Sequence, residues 1–115
     1  MKFAALAREY RKKNRRYLRE VADATGLSVA MISEVERGNR PPPIYAAREW
    51  AAAVLGDPDE FEAAAMVARD ILTIRYDELN PAQKLASFFF AKSIDQLSDE
   101  ACERIKDIVL RDVIP

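Results

Sequence analysis

Thr25–Pro43 reads TGLSVAMISEVERGNRPPP, and the fold turns on it. Gly26 is a residue able to take φ > 0 after a helix, and Ser28, two positions on, is a helix-capping residue. Ile32 and Val35 lie three apart, on one side of a short helix that a second glycine, Gly38, stops. Pro41, Pro42 and Pro43 form a stiff connector, because a run of prolines cannot sit inside a helix. Upstream, YLREVADA (Tyr17–Ala24) supplies a second short helix that ends at Gly26. Ala22 is small where two such helices cross, and Val21, Ile32 and Val35 are apolar where the pair packs on a larger body. The outward positions of the later helix are Val29, Ala30, Ser33 and Glu34, apolar or acidic for the most part.

Working outward, the chain is rich in alanine, has three glycines and shows no alternating strand pattern, which predicts an all-α protein. Residues 2–13 read as a first helix with Phe3, Leu6, Ala7 and Tyr10 on one side. A helix from about Ile44 to Leu55 has Trp50, Ala51, Val54 and Leu55 as its apolar side, and Gly56 is expected to close it. Asp57-Pro58-Asp59-Glu60 is a helix start, with a cap, a proline in the first turn and a glutamate three residues on. The helix it opens is expected to bury Phe61, Ala64, Ala65, Ala68, Ile71 and Leu72. After a soft boundary at 73–79, Asn80-Pro81 starts a helix to about Ser93. Ser98-Asp99-Glu100 starts the last, with Ala101, Ile105, Ile108 and Val109 on one face.

At 115 residues the chain holds one domain, or one domain and an appended subdomain. Half the residues are hydrophobic and 32% charged, which suits a soluble globular protein. Cys102 is the only cysteine, so no internal disulfide can form, and a reducing cytoplasm is expected. The apolar run Phe3–Ala7 is too short for a signal peptide, and no run approaches the ~20 residues that span a bilayer. There is no histidine, which excludes His-based triads and His metal sites. Cys102 lies beside Ala101 and Ile105 as a core-like residue, and Asp57, Asp59, Glu60 and Glu62 are explained by a helix start. The glycines punctuate helices and form no phosphate-cradling loop. No catalytic site, metal or cofactor is expected, and enzyme is the least favoured class. The net charge of −1 hides an asymmetry: residues 1–48 carry 11 Lys/Arg against 5 Asp/Glu, and residues 49–115 carry 7 against 14. A basic half that meets a polyanion is the natural reading.

LREVADATGLS followed by ISEVERGNRPP resembles the central signature of the Cro/repressor-like (XRE-type) helix-turn-helix family, over residues from about Leu6 to Phe61. The resemblance implies a five-helix domain that binds double-stranded DNA. It also implies that Arg11, in the first helix, bonds Glu36, at the end of the recognition helix, as a structural pair. Carried over by position, Ser28, Val29, Ala30, Ser33 and Glu34 face bases. Val29 and Ala30 suit thymine methyl groups, and Glu34 suits cytosine N4. Where relatives often carry a phosphate-gripping glutamine this chain has Leu18, and the usual Gln, Arg or Asn readers are missing. Arg15, Arg16 and Arg19, around the start of the second helix, and Asn39 and Arg40, after Gly38, are the expected phosphate contacts.

Residues 1–72 are thus expected to form the DNA-binding domain and residues 80–115 a C-terminal helical extension outside the resemblance. Phe88, Phe89 and Phe90 sweep through ~200° of a helix at ~100° per residue, more than a monomer of this size buries. With Ile105, Ile108 and Val109 they form the expected dimerisation surface. The expected function is a transcriptional regulator, a repressor that binds operator DNA as a homodimer in the cytoplasm. The rival reading is an antitoxin-like interaction module whose C-terminal helices bind a second protein.

Overall fold

The computed structural model describes residues 1–113, so the last two residues of the expected 80–115 extension lie outside the described chain. Seven α-helices follow in order: α1 Phe3–Lys13, α2 Leu18–Thr25, α3 Val29–Glu36, α4 Ala47–Val54, α5 Pro58–Arg69, α6 Pro81–Ser93 and α7 Asp99–Val113. No strand occurs among the described residues, and none of their helices is long and apolar enough to cross a membrane. The chain divides into two units, Met1–Thr73 and the part from Ile74 onward.

In the first unit, α1 to α5 enclose one core. Phe3, Leu6 and Ala7 of α1 are buried together with Val21, Ile32, Val35, Trp50, Val54, Phe61 and Ala65. Its aromatic centre is built edge to face, the preferred arrangement of aromatic quadrupoles. The Phe3 ring lies 5.1 Å from Trp50 and 5.6 Å from Phe61, which is 5.6 Å from Tyr10. Among the described residues, the buried Trp50 indole N–H finds no hydrogen-bond partner, so packing holds this side chain. The connector through Pro41–Pro43 is pinned as well: Pro42 is buried, and Arg69 donates to its carbonyl at 2.6 Å.

Three local expectations are corrected. The turn Ile44–Ala46 is 3-10 and α4 begins only at Ala47, after the proline run. Gly56 does not close α4. Leu55 takes the left-handed position at φ 61° and is 60% exposed, off the apolar side assigned to it. The α5 helix ends at Arg69, with Asp70 left-handed at φ 55°, so its burial stops at Phe61, Ala65 and the partly covered Ala64. Ala68 is exposed, and Ile71 and Leu72 lie beyond the helix at 50% and 73% exposure. The start of α5 is as expected in its cap and proline: Asp57 accepts from the Asp59 N–H at 2.9 Å, with Pro58 in the first turn.

The second unit has well-made helix starts and little burial. Asn80 and Gln83 exchange reciprocal side-chain-to-backbone bonds of 2.9 Å at the start of α6, and Ser98 accepts from the Ala101 N–H at 3.1 Å at the start of α7. Among its described residues, none is buried.

Gly56 has a different purpose from the one expected. A Cβ there would lie 2.5 Å from a ring carbon of Phe61, itself wedged between Phe3 and Tyr10. Gly56→Ala should therefore destabilise the first unit by about 1–3 kcal/mol through overpacking. Urea denaturation measures this, and an unchanged midpoint would show that the ring has room to yield.

Candidate nucleic-acid interface

The α2–turn–α3 segment is fixed bond by bond. Gly26, at φ 74°, donates its N–H to the Ala22 carbonyl at 2.9 Å and so ends α2. The Thr25 hydroxyl donates to the Val21 carbonyl at 2.8 Å and accepts from the Leu27 N–H at 3.3 Å, which tightens the turn. Ser28 then caps α3 by accepting from the Met31 N–H at 3.0 Å. At the far end, Gly38 sits at φ 77° and the Asn39 N–H donates to the Glu34 carbonyl at 3.0 Å, satisfying one of the last helical acceptors.

Two contacts orient α3. Ile32 and Val35 are inserted in the core. The carboxylate of Glu36, 7% exposed, accepts from Arg11 Nε at 2.7 Å and from a terminal Arg11 nitrogen at 3.0 Å, a two-pronged pair between α1 and the end of α3. The Arg11 guanidinium is held above its ordinary value, chiefly by that hydrogen bond and against the cost of its own burial. Arg11 also donates to the Arg16 carbonyl at 3.2 Å, and Asn14 donates to the Val54 carbonyl at 2.8 Å. One helix, α1, thereby places α2, α3 and α4 together.

The five residues assigned to base contact lie on the outward part of α3 and its cap. Ser28, Val29 and Ala30 are exposed, Val29 at 41%, whereas Ser33 and Glu34 are partly covered. Glu34 pairs with Arg37. At ~100° per residue, Ala30, Ser33, Glu34 and Arg37 share one stripe, on the side of the helix away from Ile32 and Val35.

The five residues assigned to phosphate fall in two stretches of the chain, one on each side of α3. Arg15 precedes α2 in a left-handed conformation at φ 53°, and Arg19 lies exposed in the first turn of α2. Asn39 and Arg40 are exposed beyond α3. Among the described residues, Arg15, Arg19 and Arg40 have no carboxylate within ion-pair distance. Arg16 differs from these: it donates to Glu20 at 3.1 Å. That bond, and the Tyr17 N–H, hold the Glu20 carboxyl below its usual value. The sign is that of a depressed carboxylate, so this support of the start of α2 is present above the ordinary carboxylate range and lost as pH falls through the folded value. Leu18 packs against the core.

Arg37, Tyr17 and Tyr45 were not singled out in the sequence. Tyr17, before α2, and Tyr45, before α4, are each about three-quarters exposed, 74% and 75%. Helical spacing was the available signal for Arg37, which stands seven residues after Ala30 and three after Glu34. In the second unit, Phe88, Phe89 and Phe90 are 51%, 59% and 40% exposed, Ile108 and Val109 are exposed, and Ile105 is partly covered.

Two short helices crossing through a glycine turn, the second presented outward from a five-helix core, define a helix-turn-helix domain. Residues 8–61 match the sequence profile of a family described as Helix-turn-helix, and this part of the chain belongs to that family in its Cro/repressor-like, XRE-type form. The match of this segment supports a DNA-binding regulator of that kind. Neither the curated proteins nor the solved structures compared with it include a match.

The structural role of Arg11 is open to measurement. Arg11→Ala leaves the covered Glu36 carboxylate without its cation, a change that costs about 3–5 kcal/mol when such a pair is broken from one side. Chemical denaturation should show a loss of that order. A loss below about 1 kcal/mol would place the pair among ordinary surface ion pairs.

Proposed function

We propose that the chain is a sequence-specific transcriptional repressor that binds operator DNA as a homodimer in the cytoplasm. The observation that carries this is the outward stripe of α3, held at a fixed angle by Ile32, Val35 and the Arg11–Glu36 pair. A recognition helix needs that fixed angle to lie in a major groove. On this reading Ser28, Val29, Ala30, Ser33 and Glu34 face the bases, with Val29 and Ala30 against thymine methyl groups. Arg15, Arg16, Arg19, Asn39 and Arg40 meet phosphates and set the register without specifying sequence. On this reading the chain acts by occupying its operator and excluding other proteins from it, which is repression.

The second unit supports the homodimer. Leu85, Phe88, Phe89, Phe90, Ile94, Ile108, Val109, Leu110 and Val113 are all at least 39% exposed. Their exposed surface amounts to several hundred Å², on the order of the ~800 Å² that each partner of a standard interface buries. Helices with so much uncovered apolar surface and no buried residue lack most of the hydrophobic gain that offsets chain ordering. A second copy covers it symmetrically and brings two recognition helices to two half-sites.

Capture of fragments from the source genome on the full-length protein, followed by a reporter driven from the captured site, tests the function. Recovery of one shared sequence with lower reporter output supports it, and recovery of no preferred sequence sinks it. Arg40→Ala should weaken binding to all duplexes alike and lower the slope of log K against log salt by about one phosphate contact. An unchanged slope takes Arg40 off the contact surface. Truncation after Leu79 should leave a folded monomer, because the core of the first unit runs only from Phe3 to Ala65. That fragment should bind DNA far more weakly, having lost the linkage of two half-site contacts. Light scattering decides: a full-length chain that stays monomeric at tens of micromolar moves the reading to a C-terminal surface for a different protein.

A further inference from the structure

We propose that Arg37 adds a base-specific hydrogen-bonded contact at the end of α3, donating from its guanidinium to N7 and O6 of one guanine, and that Glu34 is the positioning residue that holds it there. This rests on the DNA-binding reading above.

The eight residues of α3, VAMISEVE, contain no basic side chain and no amide, so their own donors to a base edge are limited to the Ser33 hydroxyl. Arg37 is the cap residue directly after them and keeps a helical backbone at φ −83°, ψ −3°. Its direction is therefore set by the helix. Relative to Ala30 it is two turns on, between Ser33 and Glu34 in angle, at the middle of the outward stripe.

Helical side chains lean back toward the N-terminus and cover the preceding turn. Arg37 does so here: its Nε donates to the Ser33 carbonyl at 3.4 Å, and one terminal nitrogen pairs with the Glu34 carboxylate. The cation is thus drawn away from the end of the helix and laid along its exposed face, with the side chain 59% accessible.

A guanidinium carries five N–H donors. The bonds to Ser33 and Glu34 engage one on Nε and one on a terminal nitrogen. Both terminal nitrogens still have a donor to offer, which is the paired arrangement that N7 and O6 of guanine accept in the major groove. The pairing also removes a difficulty. A bare Glu34 carboxylate in the groove would face phosphate charge on both sides, whereas the Glu34–Arg37 pair enters with no net charge. Part of the side-chain ordering that recognition demands is then complete before DNA arrives. As a purely structural feature the pair has little purpose, since an exposed i, i+3 ion pair contributes only ~0.2–0.5 kcal/mol.

The test uses the full-length chain and a pool of random-sequence duplexes, with wild type, Arg37→Ala, Arg37→Lys and Glu34→Gln selected in parallel. Each chain is then titrated on the wild-type consensus duplex, on every single-base variant of it and on a scrambled duplex. Wild type should select a motif with one guanine per half-site that Arg37→Ala no longer prefers. Affinity for the consensus should fall tenfold or more, with binding to the scrambled duplex within about twofold. Arg37→Lys, which lacks the planar fork, should not restore the preference, and Glu34→Gln should weaken it at the same position only. Circular dichroism melts confirm that these exposed variants fold.

If Arg37→Ala selects the wild-type motif unchanged, the inference is overturned while the DNA-binding reading stands. An equal loss on consensus and scrambled duplexes overturns it too, by making Arg37 a phosphate contact. If wild type itself selects no motif, the sequence-specific reading fails and takes this inference with it.

Discussion

The first unit depends on the bond between Arg11 and Glu36. The α2 and α3 helices are eight residues each, too short to persist in water without tertiary support. Val21, Ala22, Ile32 and Val35 anchor them in the core, but apolar contacts are non-directional and tolerate rotation. The two-pronged carboxylate–guanidinium contact is directional, and it grips α3 at the end opposite its Ser28 cap. Replacement of such a covered pair by apolar side chains is often neutral for stability. Its contribution here is an angle, and a helix that enters a groove is useful only at a defined angle.

The same logic explains what was legible in the sequence. Caps and turns were readable because each rests on one residue type in one position: Ser28, Asp57, Asn80, and glycines at positive φ such as Gly26. Gly56 misled because the residue type has two meanings. Glycine also serves where another group comes close, and here the Phe61 ring excludes a Cβ. Leu55 takes the left-handed position beside it, a local strain that nothing in a leucine announces. The stripe Phe61, Ala64, Ala65, Ala68 kept its helical period to the end of α5, but period reports which residues share a face and not whether anything covers it. Coverage ends at Ala65, and Ile71 and Leu72 stay in the open. At the outward face of α3, residue type alone does not disclose a partner. Glu34 has a partner three residues on, and that partnership exists only once the helix has formed.

The second unit shows the same division between local and non-local information. Its helix starts are well specified, with a reciprocal Asn80–Gln83 box before α6 and a Ser98 cap before α7. Its tertiary content is poor by comparison. Phe88 stacks edge to face on its sequence neighbour Phe89 at 5.5 Å, and Lys92 and Lys84 lie over the rings of Phe88 and Tyr76. These are contacts within one helix or across one turn, which order side chains without removing much surface from water. On the proposed reading the missing burial comes from a second copy, so folding of this unit and association are one equilibrium that depends on concentration.

Charge completes the connection between fold and encounter. The acidic excess of residues 49–115 does not belong to the C-terminal helices alone. Glu49, Asp57, Asp59, Glu60, Glu62 and Asp70, six of its fourteen acidic residues, lie in α4, α5 and their flanks, within the first unit. The basic excess is carried by α1 to α3 and the loops around them, so one small body is basic along the front of its chain and acidic along the back. Net charge near zero gives no long-range attraction to DNA, but a separated distribution gives a torque. On the proposed reading, within a Debye length of about 8 Å at physiological salt, a phosphate backbone attracts Arg15, Arg19 and Arg40 and repels the carboxylates of α4 and α5. Orientation of this kind raises the fraction of encounters that bring α3 to the groove. On the proposed reading it also permits a reading face whose own charges, Glu34 and Arg37, cancel. In that reading the basic residues supply attraction common to every sequence, and that leaves the outward stripe of α3 to distinguish one sequence from another.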